Sequence, residues 1–120
     1  MARFQIYQVI LSDADIDQLN SAGREWALKN LPNYRVYLDN MSFGAKRFQA
    51  DDFKHYAQVA EVEAADLDEV FEITNLWNRP EQIITKSRMR STSVGDIILN
   101  TETGEYFMVD MFGFTQVAVA

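Results

Sequence analysis

The chain has 120 residues, no cysteine and a net charge of −7. Its length suits one domain, and its 48% hydrophobic and 24% charged residues are typical of a globular chain, which excludes disordered and low-complexity classes. Without cysteine, disulfide frameworks, thiolate metal sites and cysteine nucleophiles are excluded. No run approaches the roughly 18 apolar residues of a membrane helix. We therefore expect a cytoplasmic protein with no membrane contact.

The negative charge is concentrated in one segment. Residues 51–72 carry eight carboxylates against Lys54 alone, a net charge of −7 that equals that of the whole chain. Residues 79–90 reverse the sign, with four basic side chains against Glu81. An acidic segment of this kind repels nucleic-acid phosphates and attracts basic partner surfaces.

The first elements are a strand and two helical segments. Apolar residues on both faces of residues 3–11 predict a central strand. Ser12 then predicts a helix N-terminus, and Gly23 a helix end. Residues 24–30 form a second helical segment that Pro32 ends, with Trp26 packed inward.

The next stretch contains two further predicted strands. Tyr-Arg-Val-Tyr-Leu at residues 34–38 favours a short strand, and residues 39–44 are rich in residues typical of a loop. Residues 53–63, with Tyr56 and β-branched Val59 and Val62, also favour a strand.

A helix is predicted from Asp66 to the region of Pro80. Asp66 and Glu69 have the spacing of a capping box. Apolar residues then recur at helical intervals; they are Leu67, Val70, Phe71, Ile73, Thr74 and Trp77. Asp68 and Glu72 lie on the opposite face, so we expect solvated carboxylates on a rigid helix.

The C-terminal third predicts a small antiparallel sheet. Residues 94–96 suit a tight turn before a strand at residues 97–99. A hairpin loop at residues 100–105 and strands at 106–110 and 115–119 follow. The whole chain, residues 1–120, therefore predicts one small α+β domain, an antiparallel sheet with two or three helices.

Few residues favour enzyme chemistry. His55 is the only histidine, and Asp51 and Asp52 would point to opposite sides of a strand, although a loop would allow them to share a metal. No Walker A or Gly-x-Gly-x-x-Gly motif is present. We predict no catalytic residue, no metal and no cofactor.

Asp96 and Asp110 have a structural interpretation. Gly95 can supply the positive φ of the turn, and the Asp96 carboxylate can accept an amide of Ser91 or Ser93. Phe112 and Phe114 flank Gly113 and are expected to be core or interface aromatics. Whether these carboxylates serve the fold or a ligand is open from the sequence.

Several motifs between residues 66 and 117 resemble the YodL-like domain. They are Leu67-Asp68-Glu69-Val70-Phe71, Asn75, Arg79-Pro80, Arg90-Ser91-Thr92-Ser93-Val94-Gly95-Asp96-Ile97-Ile98-Leu99, Gly104, Tyr106-Phe107-Met108-Val109-Asp110 and Gly113-Phe114. Residues 1–65 would form the N-terminal strand and helix portion of the same domain. The resemblance implies an accessory protein of a phage or conjugative element, in the host cytoplasm, and no established reaction.

The charge map favours binding of a protein. We predict that an acidic surface binds a host or phage protein with a basic surface, as an anti-restriction or DNA-mimic inhibitor does. Its residues are Glu61, Glu63, Asp66, Asp68, Glu69 and Glu72. The alternative is nucleic-acid binding through the basic segment, with Tyr106 or Phe107 stacking on bases. Its residues are Arg79, Lys86, Arg88 and Arg90. Self-association through opposite charges or a sheet edge is a third possibility.

Overall fold

The chain folds around one antiparallel sheet of six strands, and the computed structural model describes residues 1–120. The strands are β1 (Ala2–Val9), β2 (Tyr56–Ala64), β3 (Ile83–Thr85), β4 (Ile97–Asn100), β5 (Glu105–Val109) and β6 (Phe114–Val117). Their spatial order is β3-β2-β1-β4-β5-β6, so β1 lies inside the sheet. This confirms the predicted α+β class and the central first strand.

Four α-helices and three 3-10 helices connect the strands, more than the two or three helices predicted. The α-helices are α1 (Asp13–Ala22), α2 (Arg24–Asn30), α3 (Pro32–Phe43) and α4 (Leu67–Leu76). The 3-10 helices are Gly44–Arg47, Ala50–His55 and Pro80–Gln82. None of these helices is long and apolar enough to cross a membrane.

The cap of α1 is as predicted, whereas the packing of α2 differs. The Asp15 amide donates to Ser12 Oγ at 3.0 Å, and α1 stops before Gly23, whose φ is +91°. Trp26 was expected to pack inward, but it is 38% exposed and Ala27 is the buried residue of α2. The inward prediction for Trp26 is wrong because the face of α2 that packs against Leu31 and Tyr34 is the one that carries Ala27.

Residues 34–38 are helical, so the predicted strand there is wrong. Pro32 begins α3, where its missing N–H leaves no intrahelical bond unmade. Ala27, Leu31 and Tyr34 form a small buried cluster, against which Leu38 packs. Within α3, Tyr34 and Leu38 are four residues apart, which is close to one helical turn, and their packing on this cluster overrides the local strand propensity. The predicted loop at residues 39–44 is also wrong, because α3 continues to Phe43.

The segment before β2 packs on the sheet through one aromatic ring. Residues 53–55 belong to a 3-10 helix and the strand starts only at Tyr56, so its predicted beginning was three residues early. The Phe53 ring centroid lies 5.1 Å from that of Tyr7 and 5.3 Å from that of Tyr106. These rings cover part of the sheet face opposite α4.

Helix α4 covers the other face of the sheet and completes the main core. Asp66 caps it by accepting the Glu69 amide at 2.9 Å, and Trp77, with φ +53°, ends it. Val70 and Ile73 are fully buried against side chains of β1, β2 and β4, so truncation of Ile73 to Ala would cost about 2–5 kcal/mol. Phe71 and Trp77 were expected in this buried stripe but are 36% and 41% exposed.

The C-terminal strands do not form a separate small sheet. Strand β4 pairs with β1, from Phe4↔Asn100 to Tyr7↔Ile97, which joins β4, β5 and β6 to the N-terminal strands. Strand β3 pairs with β2 and was not predicted. It has only three residues in a basic segment, too few to show an alternating pattern.

Candidate functional site

The turn before β4 is built around Gly95. Its φ of +96° favours glycine, and an added Cβ would lie 2.9 Å from the carbonyl carbon of Asn40. The Gly95 amide donates to Val109 O at 2.9 Å, which ties the turn to β5. The predicted turn is confirmed, and it brings the next residue, Asp96, into the interior.

The Asp96 carboxylate is buried and accepts hydrogen bonds from three donors. It is 1% exposed and accepts from Gln8 Nε2 at 3.0 Å, the Ser93 amide at 2.9 Å and Arg90 Nη2 at 2.9 Å. Burial raises its pKa to about 6, against the effect of Arg90 and the other donors. The predicted contact with the Ser93 amide is confirmed. Because all donors come from the chain itself, this carboxylate supports the fold.

A second pair of polar side chains extends the same buried cluster. Asn40 Nδ2 donates to Tyr56 Oη at 2.7 Å, and Tyr56 Oη donates to Gly95 O at 2.5 Å. Burial raises the pKa of Tyr56 well above its usual value, so the phenol stays protonated. The cluster therefore joins α3, β2 and the turn before β4 through satisfied hydrogen bonds.

Asp110 orders the turn between β5 and β6. Its carboxylate accepts from Thr115 Oγ1 at 2.7 Å and from the Met111 amide at 2.8 Å. These bonds hold the pKa of Asp110 below its usual value. Gly44, with φ +60°, lies against the same carboxylate, and a Cβ there would overlap Asp110 Oδ1.

The residues considered for enzyme chemistry are separated. His55 Nδ1 lies 2.6 Å from Asn33 Oδ1 and links the second 3-10 helix to α3. Asp51 pairs with Lys54 at 3.0 Å, while Asp52 pairs with Arg35 at 3.8 Å. Nowhere do three or more His, Asp or Glu side chains come together in an arrangement that would hold a metal ion.

The structure divides the six predicted acidic residues between the two faces of the sheet. Four belong to α4 or its cap and lie together; they are Asp66, Asp68, Glu69 and Glu72. Glu61 and Glu63 alternate along β2 with residues that face α4, so they lie on the opposite face. There Arg3 pairs with Glu61 at 3.6 Å and Glu63 at 2.8 Å.

The carboxylates of α4 differ in the hydrogen bonds and ion pairs that they form within the chain. Asp66 and Glu69 both cap the helix, but the predicted capping box is only half formed: Glu69 Oε1 accepts from the Ala65 amide at 3.1 Å and not from the Asp66 amide. Glu72 pairs with Arg79 Nη2 at 2.5 Å. Asp68 is exposed and forms no ion pair. The least engaged negative charge therefore lies on the helix flank that carries Asp68.

Most of the predicted basic residues form ion pairs within the chain. Arg79 pairs with Glu69 and Glu72, Arg88 lies 3.4 Å from Asp13, and Arg90 pairs with buried Asp96. Lys86 is exposed and forms no ion pair. The proposed stacking residues Tyr106 and Phe107 are neighbours on β5 and point to opposite faces. The structure therefore does not bring these side chains into one basic and aromatic surface.

A groove lies between α4 and the β5–β6 turn, beside Asp68. Its volume is about 330 Å³, and its lining residues are Asp68, Phe71, Val94, Val109, Asp110, Met111, Gly113 and Phe114. The Phe71 and Phe114 rings pack edge to face, with centroids 6.5 Å apart. The lining contains no basic side chain, and its exposed carboxylate is that of Asp68, because the Asp110 carboxylate is bonded to Thr115 on the other face of the sheet. We call this feature the α4–β6 groove.

Exposed apolar side chains surround the α4–β6 groove. Met111 is 53% exposed and Phe112 is 97% exposed, so Phe112 is not the core residue that was one of its two predicted roles. The exposure of Phe71 and Met111 was not predicted from the sequence. The three-residue separation of Asp68 and Phe71 was the available signal, because it places both on one helix flank.

Comparisons with protein-family models, curated proteins and solved structures find no match for this chain. The resemblance of residues 66–117 to the YodL-like domain therefore depends on the sequence motifs alone.

Proposed function

We propose that this protein is a non-enzymatic binding protein whose acidic α4 flank engages a basic surface of a partner protein. One observation carries the proposal: the exposed and unpaired carboxylate of Asp68 lies beside Phe71, which is 36% exposed, while Glu72, one turn further on, is exposed but pairs with Arg79. Its role as an accessory protein of a phage or mobile element, and as an anti-restriction or DNA-mimic inhibitor in the host cytoplasm, depends on the resemblance described above.

The mixture of charge and apolar surface supports binding to protein. Carboxylates at the rim accelerate association with a basic partner and set its orientation. Exposed rings and thioethers supply the apolar area that occurs at the centre of an interface. Phe71 and Met111 are such groups, and both line the α4–β6 groove with Asp68.

The division of the acidic residues narrows the proposed surface. Glu61 and Glu63 lie across the sheet from α4 and face Arg3, so a single flat partner surface would not reach both sets. We assign binding to Asp68 and Glu72 and their neighbours on α4. The pair on β2 then serves as a matched control.

The alternative, binding of nucleic acid, has little free charge to use. Arg79, Arg88 and Arg90 pair with carboxylates of the chain. Affinity for nucleic acid comes mainly from basic side chains that neutralise phosphates. Binding of nucleic acid is one of the outcomes that the following experiment distinguishes.

The test is affinity capture from host lysate with three forms of the tagged protein, with and without nuclease. The forms are the unchanged protein, the α4 variant Asp68→Asn/Glu72→Gln, and the control Glu61→Gln/Glu63→Gln. Each variant removes two negative charges. Mass spectrometry identifies the captured protein, and purified target is then titrated with each form.

We expect a basic protein that is captured despite nuclease, lost with the α4 variant and retained with the control. Equal capture by the unchanged protein and the α4 variant would overturn the proposal. Recovery that depends on nucleic acid and falls with salt would support the basic segment instead.

A further inference from the structure

The outer edge of β6 has unpaired main-chain groups. The Asp110 amide donates to Gly113 O at 2.9 Å, which sets the alternation of bonds between β5 and β6. In this alternation Thr115 and Val117 bond to β5, while the N–H and C=O groups of Phe114 and Gln116 point away from it. No turn or loop hydrogen bond uses these outward groups.

The two edges of the sheet differ in their protection. Strand β3 has three residues, is preceded by Pro80 and is followed by Lys86 and Arg88. Proline and basic side chains are common devices against unwanted strand pairing. Strand β6 and the residues after it, Phe-Thr-Gln-Val-Ala-Val-Ala, contain neither. The β6 edge is therefore the one open to an added strand.

The α4–β6 groove lies next to this edge. Phe114 of β6 contacts Phe71 of α4, so an added strand would place alternate side chains beside these rings. Asp68 lines the same groove, and Asp66 and Asp68 line a second groove that also includes Phe114. The surroundings of an added strand are thus apolar with fixed negative charges.

We propose that β6 binds an extended segment of the partner, rich in alternating basic and apolar residues, as a seventh strand of the sheet. The proposal rests on the proposed function, because it takes the partner to be basic. Main-chain hydrogen bonds to Phe114 and Gln116 would supply affinity, and the groove would select the side chains.

A second copy of the chain fits this edge less well. Antiparallel pairing of two β6 strands about a twofold axis places both α4 helices on the same face of the joined sheet. The strand that a second copy would add, Phe114–Val117, has no basic side chain to pair with Asp68. A basic segment meets the same surface with complementary charge.

The test is titration of the full-length chain with the labelled peptide acetyl-Lys-Val-Arg-Val-Lys-Phe-Arg-amide. Gln116→Pro removes one outward N–H without removing a bond to β5, and Gln116→Ala is its matched control. Two further peptides carry N-methyl groups on the odd or on the even residues. A strand added at a sheet edge bonds to it through the N–H groups of alternate residues. N-methylation therefore blocks its pairing in only one of the two peptides.

We expect about tenfold weaker binding for Gln116→Pro than for Gln116→Ala, and loss of binding for one N-methyl series only. Equal effects of the two series, equal binding by the two variants, or no binding of the unmodified peptide would overturn strand addition. A dimer in sedimentation that Gln116→Pro dissolves would also overturn it, in favour of a second copy.

The same titration separates this proposal from the proposed function. If Asp68→Asn/Glu72→Gln abolishes binding while Gln116→Pro does not, the acidic flank binds and strand addition is wrong. If Gln116→Pro and one N-methyl series abolish binding while the acidic variant does not, strand addition stands and the role of the acidic flank is wrong.

Discussion

Asp96 and Asp68 have the same side chain, but the turn before β4 encloses one carboxylate while the surface of α4 exposes the other. Asp96 is 1% exposed and accepts three hydrogen bonds from its own chain. Asp68 lies in solvent, without an ion pair, at the rim of an apolar groove. The comparison shows that a carboxylate serves the fold where the chain supplies its donors, and is available to a partner where it does not.

The largest expected effect is that of Asp96→Ala. Removing the buried carboxylate takes one hydrogen bond each from Arg90, Gln8 and the Ser93 amide, at a cost of about 2–4 kcal/mol of unfolding free energy; Gln8 keeps its bond to Arg90 O and Arg90 its bond to Val9 O. Urea denaturation measures it. Asp96→Asn keeps the shape and one oxygen, so we expect a smaller loss. A loss below about 1 kcal/mol for Asp96→Ala would contradict the role of this residue in the fold.

An intermediate effect is expected from pH. The pKa of Asp96 is raised by burial from its ordinary value near 3.8 to about 6. Between these values the folded chain binds more protons than the unfolded chain, so the contribution of Asp96 to stability falls as pH rises and levels off above pH 6. From pH 5 to pH 7 we expect the ionisation of Asp96 to lower the free energy of unfolding by about 1 kcal/mol.

The control for this pH dependence is Asp96→Asn, which lacks the titrating group. Thermal unfolding of both proteins at pH 5 and pH 7 isolates the contribution of Asp96. The lowered pKa of Asp110 acts with the opposite sign, since its stabilisation is lost only at more acidic pH. An Asp96→Asn variant with an unchanged difference between the two pH values would contradict the assignment.

The smallest expected effect is that of Asp68→Asn/Glu72→Gln. Asp68 has no ion pair, and the exposed pair of Glu72 with Arg79 contributes about 0–1 kcal/mol. Urea denaturation should therefore show nearly unchanged stability, although we expect partner capture to be lost. A loss above about 2 kcal/mol would mean that these carboxylates support α4 itself.

Much of the fold was predictable where local signals agree. Ser12 and Asp66 caps, the Gly95 turn and the alternation of β1 all depend on residues close in the chain. The strand prediction for residues 34–38 was wrong because local strand propensity and helical packing favour different structures there. The helical conformation is favoured because it buries Tyr34 against Ala27 and Leu31, and strand propensity does not take such contacts into account.

The candidate site was predictable only in part. The six acidic residues were identified by charge, but the pleat of β2 places Glu61 and Glu63 across the sheet from α4. Phe71 was assigned to the core because its spacing is helical, yet it lies at the edge of the buried stripe. When a helix has a wide apolar stripe, the residues at the margins of that stripe are left half exposed. Which margin is exposed depends on how much of the helix the packed sheet covers.

The sequence by itself determined the class of the fold, the position of the main caps and turns, and the location of the charge along the chain. These depend on composition and on interactions over a few residues. Only the tertiary structure decided that Asp96 is enclosed, that Arg79 and Arg90 are paired, and that the β6 edge and the α4–β6 groove lie side by side. Each of these depends on strand order and packing between distant residues, which bring side chains together that no local pattern relates.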